Sequence, residues 1–155
     1  MNEKPTKRLK HYLSSAFYWH NKKEFLSEKI LELRSQAEKD TSTFQDVPVF
    51  GGFLDHRQDI IAEMVDKQKE YREAVRLCKE KLAEIQFFID SLDSYKERTV
   101  LEFRYIYFLE WMDIAIRLNY SIQNVNKIHS DALLHLLKKH DEIIEKSKKI
   151  VANRD

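Results

Sequence analysis

The chain has 155 residues, 43% hydrophobic and 34% charged, with two glycines and two prolines. That apolar content is enough for a packed core, while so few turn formers exclude an all-β fold and favour a few long helices. A formal net charge of +1 excludes a strong bulk field for nucleic acid or anionic membrane, so any DNA binding has to come from locally placed charge.

Cys78 is the one cysteine, which excludes an intramolecular disulfide framework and suits a reducing cytoplasm. The opening "MNEKPTKRLKHYLSS" carries charge throughout and has no apolar segment of the secretory kind. No run approaches the ~18 apolar residues of a membrane-spanning helix. The expectation is a soluble cytoplasmic protein without a membrane partner.

In chain order, residues 8 to 38 read as one long helix. Tyr12, Ala16, Trp19, Lys23, Leu26, Ile30, Leu33 and Ala37 follow the four-three spacing of a heptad seam, with Lys23 the polar exception. "FYWH", residues 17 to 20, lies there among Lys7, Arg8, Lys10, Lys22 and Lys23. A membrane-surface helix is one reading of it. An aromatic core stripe with a solvated basic face is favoured, because the seam continues beyond it.

Residues 39 to 55, "KDTSTFQDVPVFGGFLD", collect both glycines and Pro48 and read as a loop. A second seam follows through Ile61, Met64, Gln68, Tyr71, Val75, Cys78, Leu82, Ile85, Ile89 and Leu92. Its 3.5-residue period asks for a coiled-coil partner, and the first helix folded back antiparallel is the nearest candidate. On that seam Cys78 reads as a packed core residue rather than a reactive thiol. A second loop signal is "LDSYKE", residues 92 to 97, where Ser94 and Glu97 have capping-box spacing and open a new helix. Shorter helices follow in "YKERTVLEFRYIYF" and "EWMDIAIRL". The last helix begins at Ile122, with no break signal before Val151. The expected fold is therefore all-α. A long hairpin over residues 1 to 92 precedes a second module over residues 93 to 155 with an extended C-terminal helix.

Within the second module, "LEWMDIAIRLNYSIQNVNKIH" reads as a helix-turn-helix. Counting from Trp111, Ile114 and Ala115 take the fourth and fifth places, Leu118 the eighth, Tyr120 the tenth, Val125 the fifteenth and Ile128 the eighteenth. Two helices joined by so short a turn must share one small core, which requires apolar residues at those places. The fifth faces the second helix closely and needs a small residue, here Ala115. The ninth takes a left-handed backbone. Glycine is usual there, and Asn119 is the next best choice. Ser121 then caps the second helix.

The wider stretch "YKERTVLEFRYIYFLEWMDIAIRLNYSIQNVNKIHSDAL" resembles the fourth region of bacterial sigma factors, in which an "R.vl.lRy" helix precedes "eIA..lg.S...V......AL". The residues that carry this are Arg98, Val100, Leu101, Arg104, Tyr105, Ile114, Ala115, Leu118, Ser121, Val125, Ala132 and Leu133. The chain is also similar to a family of small phage and prophage proteins of Gram-positive hosts. Trp111, Tyr120, His129, the following "ALL" and a loop like Asp46–Val47–Pro48–Val49 carry that likeness. It covers roughly residues 20 to 137. Related late-gene and autolysin regulators of phages are similar in the sigma-like module. The sequence departs from the pattern at Asn119, at "YFL" (107 to 109) where the family often has a glycine-containing turn, and in its extra C-terminal "KKHDEIIEKSKKIVANRD".

The resemblance implies a transcriptional regulator in the cytoplasm of a bacterial host, with double-stranded DNA as partner and host RNA polymerase as a candidate further partner. In such a motif the second helix enters the major groove and its N-terminal residues meet base edges. With Val125, Ile128 and Ala132 facing inward, Gln123, Asn124, Asn126, Lys127 and Ser130 face outward, while His129 is expected at the edge of the small core. Gln and Asn pair two-pronged with adenine, and Lys donates to guanine or phosphate. Ile122 suits a thymine methyl, Ser121 lies at the helix start, and Arg117 is placed for a backbone phosphate. Solvated polar side chains on an exposed helix are the bland alternative.

No other chemistry is expected. The six histidines lack metal-ligand spacing, since His135 and His140 point to different helix faces. The pairs Glu24/Glu28 and Glu80/Glu84 are mixed with lysines and read as solvated faces. Two glycines do not build a phosphate-cradling loop. Neither catalytic residues, a metal nor a cofactor is expected. The rival roles are a protein-interaction module whose helix-turn-helix does not bind DNA, and a DNA-packaging adaptor. Leu133, Leu136, Leu137, Ile143, Ile144, Ile150 and Val151 form an apolar stripe longer than the small core needs, from which a homodimer is expected, with folding back on the chain's own hairpin as the intramolecular alternative.

Overall fold

A computed structural model of the chain describes the backbone of residues 4–42 and 51–152, and the side chains of residues 4–39 and 56–141. All regular structure among them is helical: α1 (Pro5–Leu13), α2 (Ser15–Ser42), α3 (Gly51–Asp90), α4 (Tyr95–Tyr105), α5 (Trp111–Leu118) and α6 (Ile122–Ala152). The fold is all-α. Among the described residues no helix is long and apolar enough to cross a membrane.

The long first helix expected from sequence is two. Pro5 at the first position of α1 is pre-set for a helix start, where its missing N–H is not needed. The break falls at Ser14, whose hydroxyl donates to the Lys10 carbonyl at 2.8 Å, while the Ser15 hydroxyl donates to the Tyr12 carbonyl at 2.6 Å. Serine hydroxyls that compete for helix carbonyls in this way bend or end a helix. The glycine-containing loop is also shorter than residues 39 to 55, because α2 runs through Ser42 and α3 begins at Gly51. The motif Asp46–Val47–Pro48–Val49 lies outside the described residues.

The chain forms two compact units. One is Tyr18–Cys78, and the other takes in the chain up to Phe17 and again from Lys79. The boundary drawn from sequence between residues 92 and 93 lies inside the second unit.

In Tyr18–Cys78 the expected seams are largely the covered faces. Leu26, Leu33 and Cys78 are buried, and Ile30, Met64, Tyr71 and Val75 half-buried. At the start of α3 the face is rotated by one residue, with Ile60 6% exposed and Ile61 40%. Ile60 stands five turns before Cys78 at ~3.6 residues per turn, so a straight helix aligns it where a strict heptad would align Ile61. In "FYWH" the expected core stripe is only partial, since Phe17 and Tyr18 are exposed and Trp19 and His20 half-buried. Exposed pairs such as Lys67–Glu70 and Arg76–Glu73 line the outer face of α3 and add a few tenths of a kcal/mol each.

The second unit has its core where Leu13 and Ala16 meet Ile85, Ile89 and Leu92 of the α3 end, Leu101 and Tyr105 of α4, and Ala132, Leu133 and Leu136 of α6. Burying each of the larger side chains contributes about 1.5–3 kcal/mol. Both glycines precede Phe53, so the three later breaks are made by other residues. At the end of α3 the Ser91 hydroxyl donates to the Phe88 carbonyl at 2.6 Å, and the Arg98 guanidinium donates to the Leu92 and Asp93 carbonyls. Ser94 caps α4 as expected, its hydroxyl oxygen accepting from Glu97 N–H at 3.4 Å. The Glu97 carboxylate does not close the box; Oε1 lies 2.7 Å from His135 Nδ1 on α6.

Candidate nucleic-acid interface

α5 ends at Leu118, and Asn119 takes φ 55° and ψ 44°, the left-handed region expected of it. Two bonds close the turn: Asn119 N–H donates to the Ile116 carbonyl at 3.2 Å, and Tyr120 N–H to the Ala115 carbonyl at 3.0 Å. This pair of bonds is a Schellman closure, which satisfies carbonyls that the helix end leaves open. Ser121 then opens α6, its hydroxyl oxygen accepting from Asn124 N–H at 3.1 Å. That fixes the angle at which α6 leaves the turn, because the same short segment caps both helices.

Beneath the turn lies the small core that the spacing required. Val100, Ile114, Ala115 and Val125 are buried together, with Leu118, Tyr120, Ile128, Trp111, Phe103 and Leu109 packed against them. Every apolar position read from the motif is in this cluster. Ala132, also expected to face inward, is fully buried but belongs to the larger core.

α4 stops at Tyr105, short of the expected Phe108. Phe108 has φ 59°. A bulky residue there costs on the order of 1–2 kcal/mol relative to glycine. Burial offsets this: the Phe108 side chain packs on the larger core, its ring 5.4 Å from that of Phe17. The chain thus makes this turn with "YFL", which contains no glycine. Leu109 N–H donates to the Phe103 carbonyl at 2.9 Å, and the Leu109 carbonyl accepts from Arg104 Nη1 at 3.0 Å. The Arg104 guanidinium also lies 4.5 Å from the Trp111 ring centre, fixing α5 to α4.

Residues 39–137 match the family described as "Protein of unknown function (DUF1492)". The chain belongs to that family. The matched span ends within α6 and takes in the whole of α4, α5 and the turn. Comparison with curated proteins and with solved structures finds no match.

On this DUF1492 chain the eight residues singled out from sequence, Arg117, Ser121, Ile122, Gln123, Asn124, Asn126, Lys127 and Ser130, are all exposed. They lie at the end of α5, in the turn and on the first turns of α6, so short spacing on one helix start brings them together. Ser121 has a structural task as the cap, while its neighbours on α6 leave amide and ammonium groups at the surface.

His129 is 5% exposed, and its Nε2 stands 2.8 Å from the Tyr105 hydroxyl. Burial, then the charges of Lys10 and Arg104, push its pKa down to about 4, so it is a neutral packing residue at neutral pH. Sequence reasoning did not associate α1 with this region. α1 packs along α6 and brings Lys10 and Ser14 beside Asn126 and Ser130. The signal available for that was the Ser14–Ser15 pair, at which α1 ends.

Proposed function

We propose that the chain is a sequence-specific DNA-binding transcriptional regulator of phage or prophage origin, with α6 as its recognition helix. One observation carries the reading. A helix pair closed by a left-handed Asn119 and packed on its own small core presents Gln123, Asn124, Asn126 and Lys127, exposed, at the start of its second helix. That is the arrangement by which a helix-turn-helix delivers amide side chains to adenine edges and a lysine to guanine or phosphate. The likeness of "YKERTVLEFRYIYF…SDAL" to sigma region 4 supports the same role. In this reading the protein works in the cytoplasm of a bacterial host, with double-stranded DNA as partner and host RNA polymerase as a further candidate. It acts as a homodimer, which doubles the contacts that one weakly charged module makes on a two-fold site.

A second reading has its own support. Met112 and Ile116 on α5 are 56% and 70% exposed, and the net charge is only +1, both of which suit a module that docks on another protein. A DNA-packaging adaptor is set apart by assembly state, since a ring larger than a dimer belongs to that role alone. Selection of bound sites from random DNA by the full chain decides between them. A regulator enriches one motif, and recovery of no motif removes the proposal in favour of the docking module.

A further inference from the structure

α1 has the sequence PTKRLKHYL, with no acidic residue in it. It lies against α6, and between them is a hollow of about 460 Å³ whose lining includes Lys10, Ser14, Arg104, Asn126 and Ser130. Among the described residues, no carboxylate lines it. Two of its members, Asn126 and Ser130, belong to the outward set of the candidate recognition helix.

The two cations differ in what holds them. Arg104 is engaged with the Trp111 ring, with the Leu109 carbonyl and, at 3.7 Å, with Glu110. Lys10 is exposed and has no ion-pair partner among the described residues. The positive potential of the place acts on its own wall, because Lys10 and Arg104 both disfavour the charged form of His129. A positively charged hollow with hydroxyl and amide donors and no acid has the chemistry of a seat for an oxyanion.

We propose that this hollow seats a phosphate of the DNA backbone at the edge of the groove that α6 enters, with Lys10 as its principal cation. The inference rests on the DNA-binding reading above and deepens it. A chain of net charge +1 gains its local charge from a helix far away in sequence, and the contact sets the register of α6 without reading sequence.

The test uses the full chain and a mixed-sequence DNA duplex, with affinity measured over a range of salt. Each neutralised phosphate steepens the fall of log K with log salt by about 0.9. Lys10→Gln should therefore bind every sequence more weakly and lose about 0.9 of the slope, while Lys10→Arg keeps it. Gln123→Ala should keep the slope and change sequence preference instead. A wild-type protein that binds no duplex even at low salt overturns the DNA reading and this inference together. A wild-type protein that binds, with a Lys10→Gln variant of unchanged affinity and slope, overturns the inference alone.

Discussion

The Tyr105 hydroxyl and His129 Nε2 share a buried hydrogen bond of 2.8 Å that joins α4 to α6 directly behind the candidate recognition surface. The Trp111 ring stands edge-on to the imidazole at 4.7 Å, so α5 is tied to the same point. Burial also pushes the Tyr105 pKa up to about 12, so the phenol stays protonated throughout the range in which the protein folds. Tyr105→Phe leaves the imidazole nitrogen without a partner, and should cost about 1–2 kcal/mol in denaturant unfolding.

The same pair makes stability depend on pH. Folding lowers the His129 pKa from 6.5 to about 4, so between those values the unfolded chain binds the extra proton. Stability rises with pH wherever the unfolded state holds more protons. The contribution of His129 is therefore complete above about pH 6.5 and is lost as pH falls from there toward 4. Its size is on the order of 3 kcal/mol. His129→Gln should flatten this part of the stability profile. A variant that loses stability between pH 6.5 and 4.5 as steeply as wild type would show that another group titrates.

Asn119 holds its left-handed conformation at a position where a β-branched side chain is strongly disfavoured. Asn119→Gly should be neutral or slightly stabilising, and Asn119→Val should cost roughly 1–2 kcal/mol. Thermal melting of the two variants checks this, and equal melting temperatures would count against the turn geometry.

Gln123 and Lys127 are exposed, so their replacement tests recognition apart from folding. Each Ala substitution should weaken binding to the selected site by roughly 1–3 kcal/mol while the melting temperature stays at the wild-type value. Unchanged affinity in both removes them from the interface.

The C-terminal stripe has a divided fate. Leu133 and Leu136 are buried in the chain's own core, and Leu137 lies half-buried beside α1, so this part of the stripe needs no second copy. The side chains of Ile143, Ile144, Ile150 and Val151 lie outside those described, and the proposed dimer rests on them. Sedimentation at micromolar concentration should give a dimer for the full chain and a monomer after truncation at Asp141, which spares the core. A monomeric full chain refutes the dimer.

The short-range features were legible from the order of residues alone. Ala115, Asn119, Ser121, Val125 and Ile128 are read by spacing, because a turn and two caps are settled by neighbours a few residues apart. The heptad seams were legible for the same reason, being periodic along one helix. Non-local facts were not. That Ser14 ends a helix depends on whether a hydroxyl or the next amide wins a carbonyl, a balance of about 1 kcal/mol that packing decides. Phe108 accepts a left-handed backbone only because Phe17 and the core hold its ring. Ile60 replaces Ile61 on the buried face because a straight helix drifts out of heptad register. Above all, Lys10 stands beside Asn126 because α1 covers the apolar side of α6 around Leu133 and Leu136. Burial drives that pairing without direction, so no spacing in the chain announces it, and tertiary packing alone decides which basic residues flank the candidate recognition helix.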